Sequence, residues 1–182
     1  GIYNDVADVE VEVNGGTITG KHGLYCNNKA KYVFNDGTIE TTDVGVQMVK
    51  PHCDFEMNGG TITTPSHALN VEDRYHAIDI KGGELKSTTT HGVRLYVGDR
   101  DACDYNQTGG TVIGAVYGLY SYYANVNITG GEVRTTSTNT GHYAIYNDWT
   151  NSMTIGGDAF INAPNASGLA DRKSGSAGMP RP

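Results

Sequence analysis

Hydrophobic and polar residues alternate in short bursts along this chain, and each burst ends at a glycine pair or, once, at Asp36-Gly37. Val11 and Val13, Tyr32 and Phe34, Phe55 and Met57, Ile78 and Ile80, Tyr105 and Gln107, and Val126 and Ile128 are separated by polar residues such as Glu12, Glu56, Asp79, Asn106 and Asn127. Alternation with a period of two predicts strands that bury one face. Gly15-Gly16, Asp36-Gly37, Gly59-Gly60, Gly82-Gly83, Gly109-Gly110, Gly130-Gly131 and Gly156-Gly157 follow, each leading into a short strand such as Thr17-Ile18-Thr19 or Thr61-Ile62-Thr63. The second glycines stand at 16, 37, 60, 83, 110, 131 and 157, so successive repeats are 21, 23, 23, 27, 21 and 26 residues long.

A second signal keeps step with the first. Seven to thirteen residues beyond each glycine pair comes a ring or other side chain, a small residue, then an aliphatic one: His22-Gly23-Leu24, Val44-Gly45-Val46, His67-Ala68-Leu69, His91-Gly92-Val93, Tyr117-Gly118-Leu119, Tyr143-Ala144-Ile145 and Ser167-Gly168-Leu169. Each repeat therefore holds about three short strands. Helical periodicity is absent, and one such coil cannot bury its inner face alone. Stacking the coils aligns Ile18, Ile39, Ile62, Leu85 and Val112 into one apolar ladder. The reading is an all-β, single-stranded parallel β-helix of about seven coils over residues 1–171, with 172–182 as a flexible tail or linker. A propeller or sandwich would need four strands per repeat joined by hairpin turns, whose signals are few here.

The Gly-Gly-Thr-Ile-Thr and Gly-Leu-Tyr phrases resemble right-handed parallel β-helix repeats of the pectin-lyase-like superfamily, particularly those in surface and secreted proteins of Gram-positive bacteria. The resemblance covers roughly residues 1–171 and implies coil geometry, right-handed winding and an extracellular or cell-surface setting. In the superfamily's lyases, Ca²⁺ held by acidic groups works with a basic residue that abstracts a proton from an acidic sugar. No lyase signature spacing occurs in this chain, and the Gly-His-Gly and Arg-Ile-Lys segments of galacturonan hydrolysis are absent. No catalytic residue is assigned and the expectation is a protein that is not an enzyme.

Composition narrows the partners. The 182 residues carry a formal charge of −7, against the concentrated Lys and Arg of nucleic-acid binders. No stretch approaches the ~18 apolar residues of a membrane-spanning helix. The expected partner is a polysaccharide or other glycan, with neither nucleic acid nor membrane. Its platform is the residue after the aliphatic one in the second motif, which alternation turns outward: Tyr3, Tyr25, Gln47, Asn70, Arg94, Tyr120 and Tyr146. Phenols, amides and a guanidinium on a rigid sheet suit the faces and hydroxyls of sugar rings, and Tyr122, Tyr123 and Trp149 enlarge the patch. Cross-strand tyrosine stacking that stabilises the strands is the competing reading.

Asp73, Asp99 and Asp101, with Glu72 and Asp104 nearby, are candidate Ca²⁺ ligands from neighbouring turns; no other cofactor is expected. Cys53, His76 and Cys103 each stand four residues before the last strand residue ahead of a glycine pair. They share a column with Val9, Ala30 and Ala124, which reads as a small-residue core ladder in preference to a metal site. The three cysteines, Cys26, Cys53 and Cys103, are too few and too scattered to predict a disulfide framework. His22, His67 and His91 share a column with Val44, Tyr117 and Tyr143, which favours packing over metal ligation. Asn106-Gln107-Thr108, Asn127-Ile128-Thr129 and Asn165-Ala166-Ser167 match the N-glycosylation pattern.

The opening Gly1-Ile2-Tyr3-Asn4-Asp5 repeats Ala144-Ile145-Tyr146-Asn147-Asp148, so the chain is expected to enter mid-coil. A missing polar cap there predicts end-to-end self-association. Two rival functions stand beside glycan attachment: a structural spacer or self-assembling fibre subunit, and a Ca²⁺-dependent polysaccharide lyase.

Overall fold

The computed structural model describes residues 1–98, 103–164 and 169–171. The protein is an all-β parallel solenoid of about seven turns. Every strand pairing is parallel, between one coil and the next. Strands fall into three stacks. The first holds Ile2–Asn4, Leu24–Cys26, Val46–Met48, Leu69–Asp73, Val93–Val97, Tyr117–Tyr122, Tyr143–Asn147 and Leu169–Asp171. The second holds the leading halves of Val9–Gly20 and Ala30–Thr41, then Cys53–Met57, His76–Ile80, Cys103–Gln107, Asn125–Ile128 and Ser152–Ile155. The third holds the trailing halves of those two long strands, then Thr61–Thr64, Glu84–Ser87, Thr111–Gly114, Glu132–Thr135 and Phe160–Asn162.

The three strands expected in each coil are present from the third coil onward. In the first two coils the second and third are one 12-residue strand, running through the glycines by a register shift around Asn14.

The glycine pairs follow from the close approach of successive coils. At Gly83 the backbone has φ +77°, and a Cβ would lie 2.6 Å from the carbonyl oxygen of Gly60 one coil earlier. At Gly131 a Cβ would lie 2.4 Å from the oxygen of Gly110. From Gly37 onward, each second glycine thus sits where the previous coil's carbonyl needs the space. The small residue of the second motif has a similar origin: a Cβ on Gly45 would meet Ile62 Cγ2 at 2.5 Å and the oxygen of Ala68 at 2.5 Å.

The core lies inside the coil and is built as ladders. Ile18, Ile39, Ile62, Leu85, Val112, Val133 and Ile161 are aligned residue for residue. Tyr32, Phe34, Phe55 and Tyr105 fill the interior as the bulkiest buried side chains. The largest buried phenols are hydrogen-bonded, as burial favours: the Tyr105 hydroxyl donates to Gln107 Oε1 at 2.8 Å, Gln107 Nε2 donates to the Glu132 carbonyl at 3.2 Å, and the Tyr32 hydroxyl donates to the Tyr25 carbonyl at 2.9 Å.

The cysteines correct the sequence reading. Cys26 on the first stack and Cys53 on the second, in adjacent coils, form a disulfide with Cα atoms 6.2 Å apart. Both side chains point inward at the same corner, which brings together residues 27 positions apart. The Cys53, His76, Cys103 column is in register as expected. It offers no metal site: Cys53 is oxidised, and the His76 ring nitrogens lie 2.7 and 2.8 Å from the carbonyl oxygens of Cys53 and Glu72. Cys103 is a buried free thiol whose pKa is raised by desolvation.

Candidate glycan-binding face

The outer face of the first stack carries the expected row. Tyr3, Tyr25, Gln47, Asn70, Arg94, Tyr120 and Tyr146 are successive register partners, one per coil. Its middle is more enclosed than alternation alone implies, because Gln47 and Asn70 are buried at 6% and 5% exposure. They are held in an amide ladder: Asn70 Nδ2 donates to Gln47 Oε1 and to Glu72 Oε1, each at 3.0 Å, and Arg94 Nη1 donates to Asn70 Oδ1 at 3.0 Å. Arg94 also pairs with Glu72 at 3.5 Å and lies 4.4 Å over the Tyr96 ring. The guanidinium is thereby fixed at the centre of the face.

The column of His67, His91, Tyr117 and Tyr143, expected to serve packing alone, joins this row. His67 stacks on His91 at 5.1 Å, His91 on Tyr117 at 4.8 Å, and Tyr117 on Tyr146 at 4.7 Å with 8° between planes. Tyr120 stacks on Tyr146 at 5.7 Å and on His91 at 5.6 Å. The two columns stand three residues apart in sequence, across the tight Gly or Ala, so their rings interleave as one array. That offset of three was the signal available in the sequence. The centroid separations match the ~4.8 Å strand spacing, so ring faces are largely taken up by one another. The row therefore presents mainly ring edges and hydroxyls at its outer surface. Burial raises the Tyr120 phenol pKa to about 12, with the Asp148 carboxylate adding to it, and the hydroxyl donates to Asp148 Oδ2 at 3.3 Å.

Desolvation lowers the His67 and His91 pKa values to about 4 and about 3, with Arg94 adding to both, so both imidazoles are neutral at pH 7. His67 Nδ1 is 3.1 Å from Thr90 Oγ1, whereas the buried His91 Nδ1 has no hydrogen-bond partner. His22 is separated from His67 by the Val44 rung and packs edge-on against Tyr25.

Beside the array, Tyr122 is the register partner of Tyr96, stacked at 5.1 Å, and contacts Tyr123 at 4.3 Å. Trp149 stands at the corner leading to the second stack. All six non-glycine residues with positive φ among the described residues occupy this corner: Asp8, His52, Asp73, Tyr75, Tyr123 and Trp149. A side chain held there costs roughly 1–2 kcal/mol, least for Asn and Asp.

Of the proposed Ca²⁺ ligands, Asp73 lies on this corner with Arg74 Nε 3.8 Å away, while Asp99 and Asp101 fall outside the described residues. Among the described residues no three His, Cys, Asp or Glu side chains are grouped to hold a metal. Asn165-Ala166-Ser167 and the 172–182 tail also fall outside them. No family model, curated protein or solved structure matches this chain.

Proposed function

We propose that this chain is a non-catalytic glycan-binding module of an extracellular or cell-surface protein, with the outer face of the first stack as its platform. The observation that carries the reading is the array itself: rings, amides and one guanidinium, held in register on a rigid sheet. The hydroxyls of Tyr3 and Tyr25, and of Tyr120 and Tyr146, stand one coil apart, which suits a polymer that presents hydroxyls at regular intervals. The Cys26–Cys53 bond supports the setting, since such bonds persist in oxidising compartments. The resemblance of the repeat phrases to those of secreted Gram-positive proteins points the same way.

The test is retention on insoluble polysaccharides, namely cellulose, chitin, xylan and mannan, comparing wild type with Tyr120→Ala/Tyr146→Ala. Wild type binds at least one, and the double variant, with an unchanged far-ultraviolet spectrum, loses at least tenfold in retention. Equal retention removes the platform, and no retention of wild type on any of the four removes the glycan reading.

A further inference from the structure

The ring faces within the array are stacked on each other, so a sugar ring that needs an aromatic face must find it elsewhere. We propose that the corner between the first and second stacks, carrying Tyr75 and Trp149, is a ridge on which pyranose rings stack. The inference rests on the glycan reading and adds to it a second contact surface, separate from the hydroxyl row.

Two independent observations support it. Tyr75 and Trp149 are 50% and 49% exposed, and neither belongs to the hydrophobic core. Both also hold a backbone conformation that large side chains avoid, with φ of 63° and 64°. The corner asks for a left-handed residue, and Asn would satisfy it with less strain. Asp8 occupies the same corner in the first coil at φ 58°, so the turn forms without a ring. At His52, Tyr75, Tyr123 and Trp149 the chain instead places rings. Strain retained for a half-exposed ring indicates use of the ring by something outside the fold.

The geometry suits one extended chain. His52 stacks on one face of the Tyr75 ring at 5.1 Å, and the Arg74 guanidinium lies 5.5 Å from the ring centroid, so the ring's orientation is held from within the corner. Tyr123, packed against the core, donates its backbone N–H to the Trp149 carbonyl at 3.3 Å and supports the other end. Register carries the His76 rung to Cys103, Ala124 and Asn151, so Tyr75 and Trp149 lie three rungs apart. At ~4.8 Å per rung that is about 14 Å, a span of a few sugar residues.

The experiment compares Tyr75→Asn, Trp149→Asn and their combination with wild type and with Tyr120→Ala/Tyr146→Ala. Two readouts are taken: the urea midpoint, and retention on the same four polysaccharides. The ridge predicts that the Asn variants keep or raise the midpoint, because strain is relieved, while the combination loses at least fivefold in retention. A lower midpoint means the rings are kept for packing and overturns the ridge. Unchanged retention, alongside loss in the Tyr120/Tyr146 variant, overturns the ridge and leaves the platform standing. Absence of wild-type retention on all four overturns both.

Discussion

Reducing the Cys26–Cys53 bond removes no atom from the core, so it isolates the effect of the cross-link on the unfolded chain. The bond closes a loop between residues 27 apart. Loop-closure entropy of 2.1 plus 1.5R ln n cal/mol/K then gives about 3.5 kcal/mol at 25 °C. With a urea slope of about 2 kcal/mol/M for a domain of this size, the unfolding midpoint of the reduced protein falls by roughly 1.5–2 M. Both half-cystines are fully buried, so reduction is carried out in denaturant and the protein refolded with reductant present. The bond also fixes the thiol count: of three cysteines, one reacts in denaturant before reduction and three afterwards. Cys103→Ala, which leaves the cross-link intact, keeps the difference between oxidised and reduced midpoints. Three reactive thiols before reduction, or coincident midpoints, would refute the cross-link and its stabilising role.

Two further perturbations probe the array and the stack. The folded-state pKa values of His67 and His91, about 4 and about 3, lie below the ordinary imidazole value of 6.5, so the unfolded chain binds protons first as pH falls. Their stabilisation is complete above about pH 6.5 and declines toward pH 4, by up to about 1.4 kcal/mol per pH unit per group. The urea midpoint drops between pH 7.5 and 4.5, and drops less in His91→Tyr, which puts the neighbouring coil's residue type into the column; a flat profile would contradict the burial of these rings. Gly131→Ala, whose Cβ meets only backbone of the preceding coil within 2.5 Å, destabilises by about 2–4 kcal/mol in equilibrium unfolding. Gly156→Ala, with no atom within 4 Å of its Cβ, stays within about 0.5 kcal/mol, and equal effects at the two sites would deny the glycine ladder.

The ladders were legible because in-register parallel stacking converts a repeat into a column without further information. The alternation around Phe55 and Ile78, and the aliphatic residue after each glycine pair, named their partners before any coordinate. The disulfide was not legible, because Cys26 and Cys53 belong to different columns of adjacent coils, and only the bend of the backbone between stacks brings them together. Gln47 and Asn70 sit at outward positions, as alternation requires, yet hydrogen bonding and the neighbouring Arg94 enclose them. The rings at Tyr75 and Trp149 gave no periodic signal, since their significance lies in a dihedral angle. The union of the histidine and tyrosine columns was half visible: each column was read, but their interleaving depends on ring directions.

The glycine contact between coils makes each unit offer its neighbour nearly the same floor and ceiling. Copying or deleting one whole unit of about 23 residues therefore restores the junction it interrupts, whereas a change of a few residues within a coil must be absorbed in the corners. Length in such a protein is an evolvable quantity counted in complete windings, and any ligand-binding row lengthens or shortens in step with it.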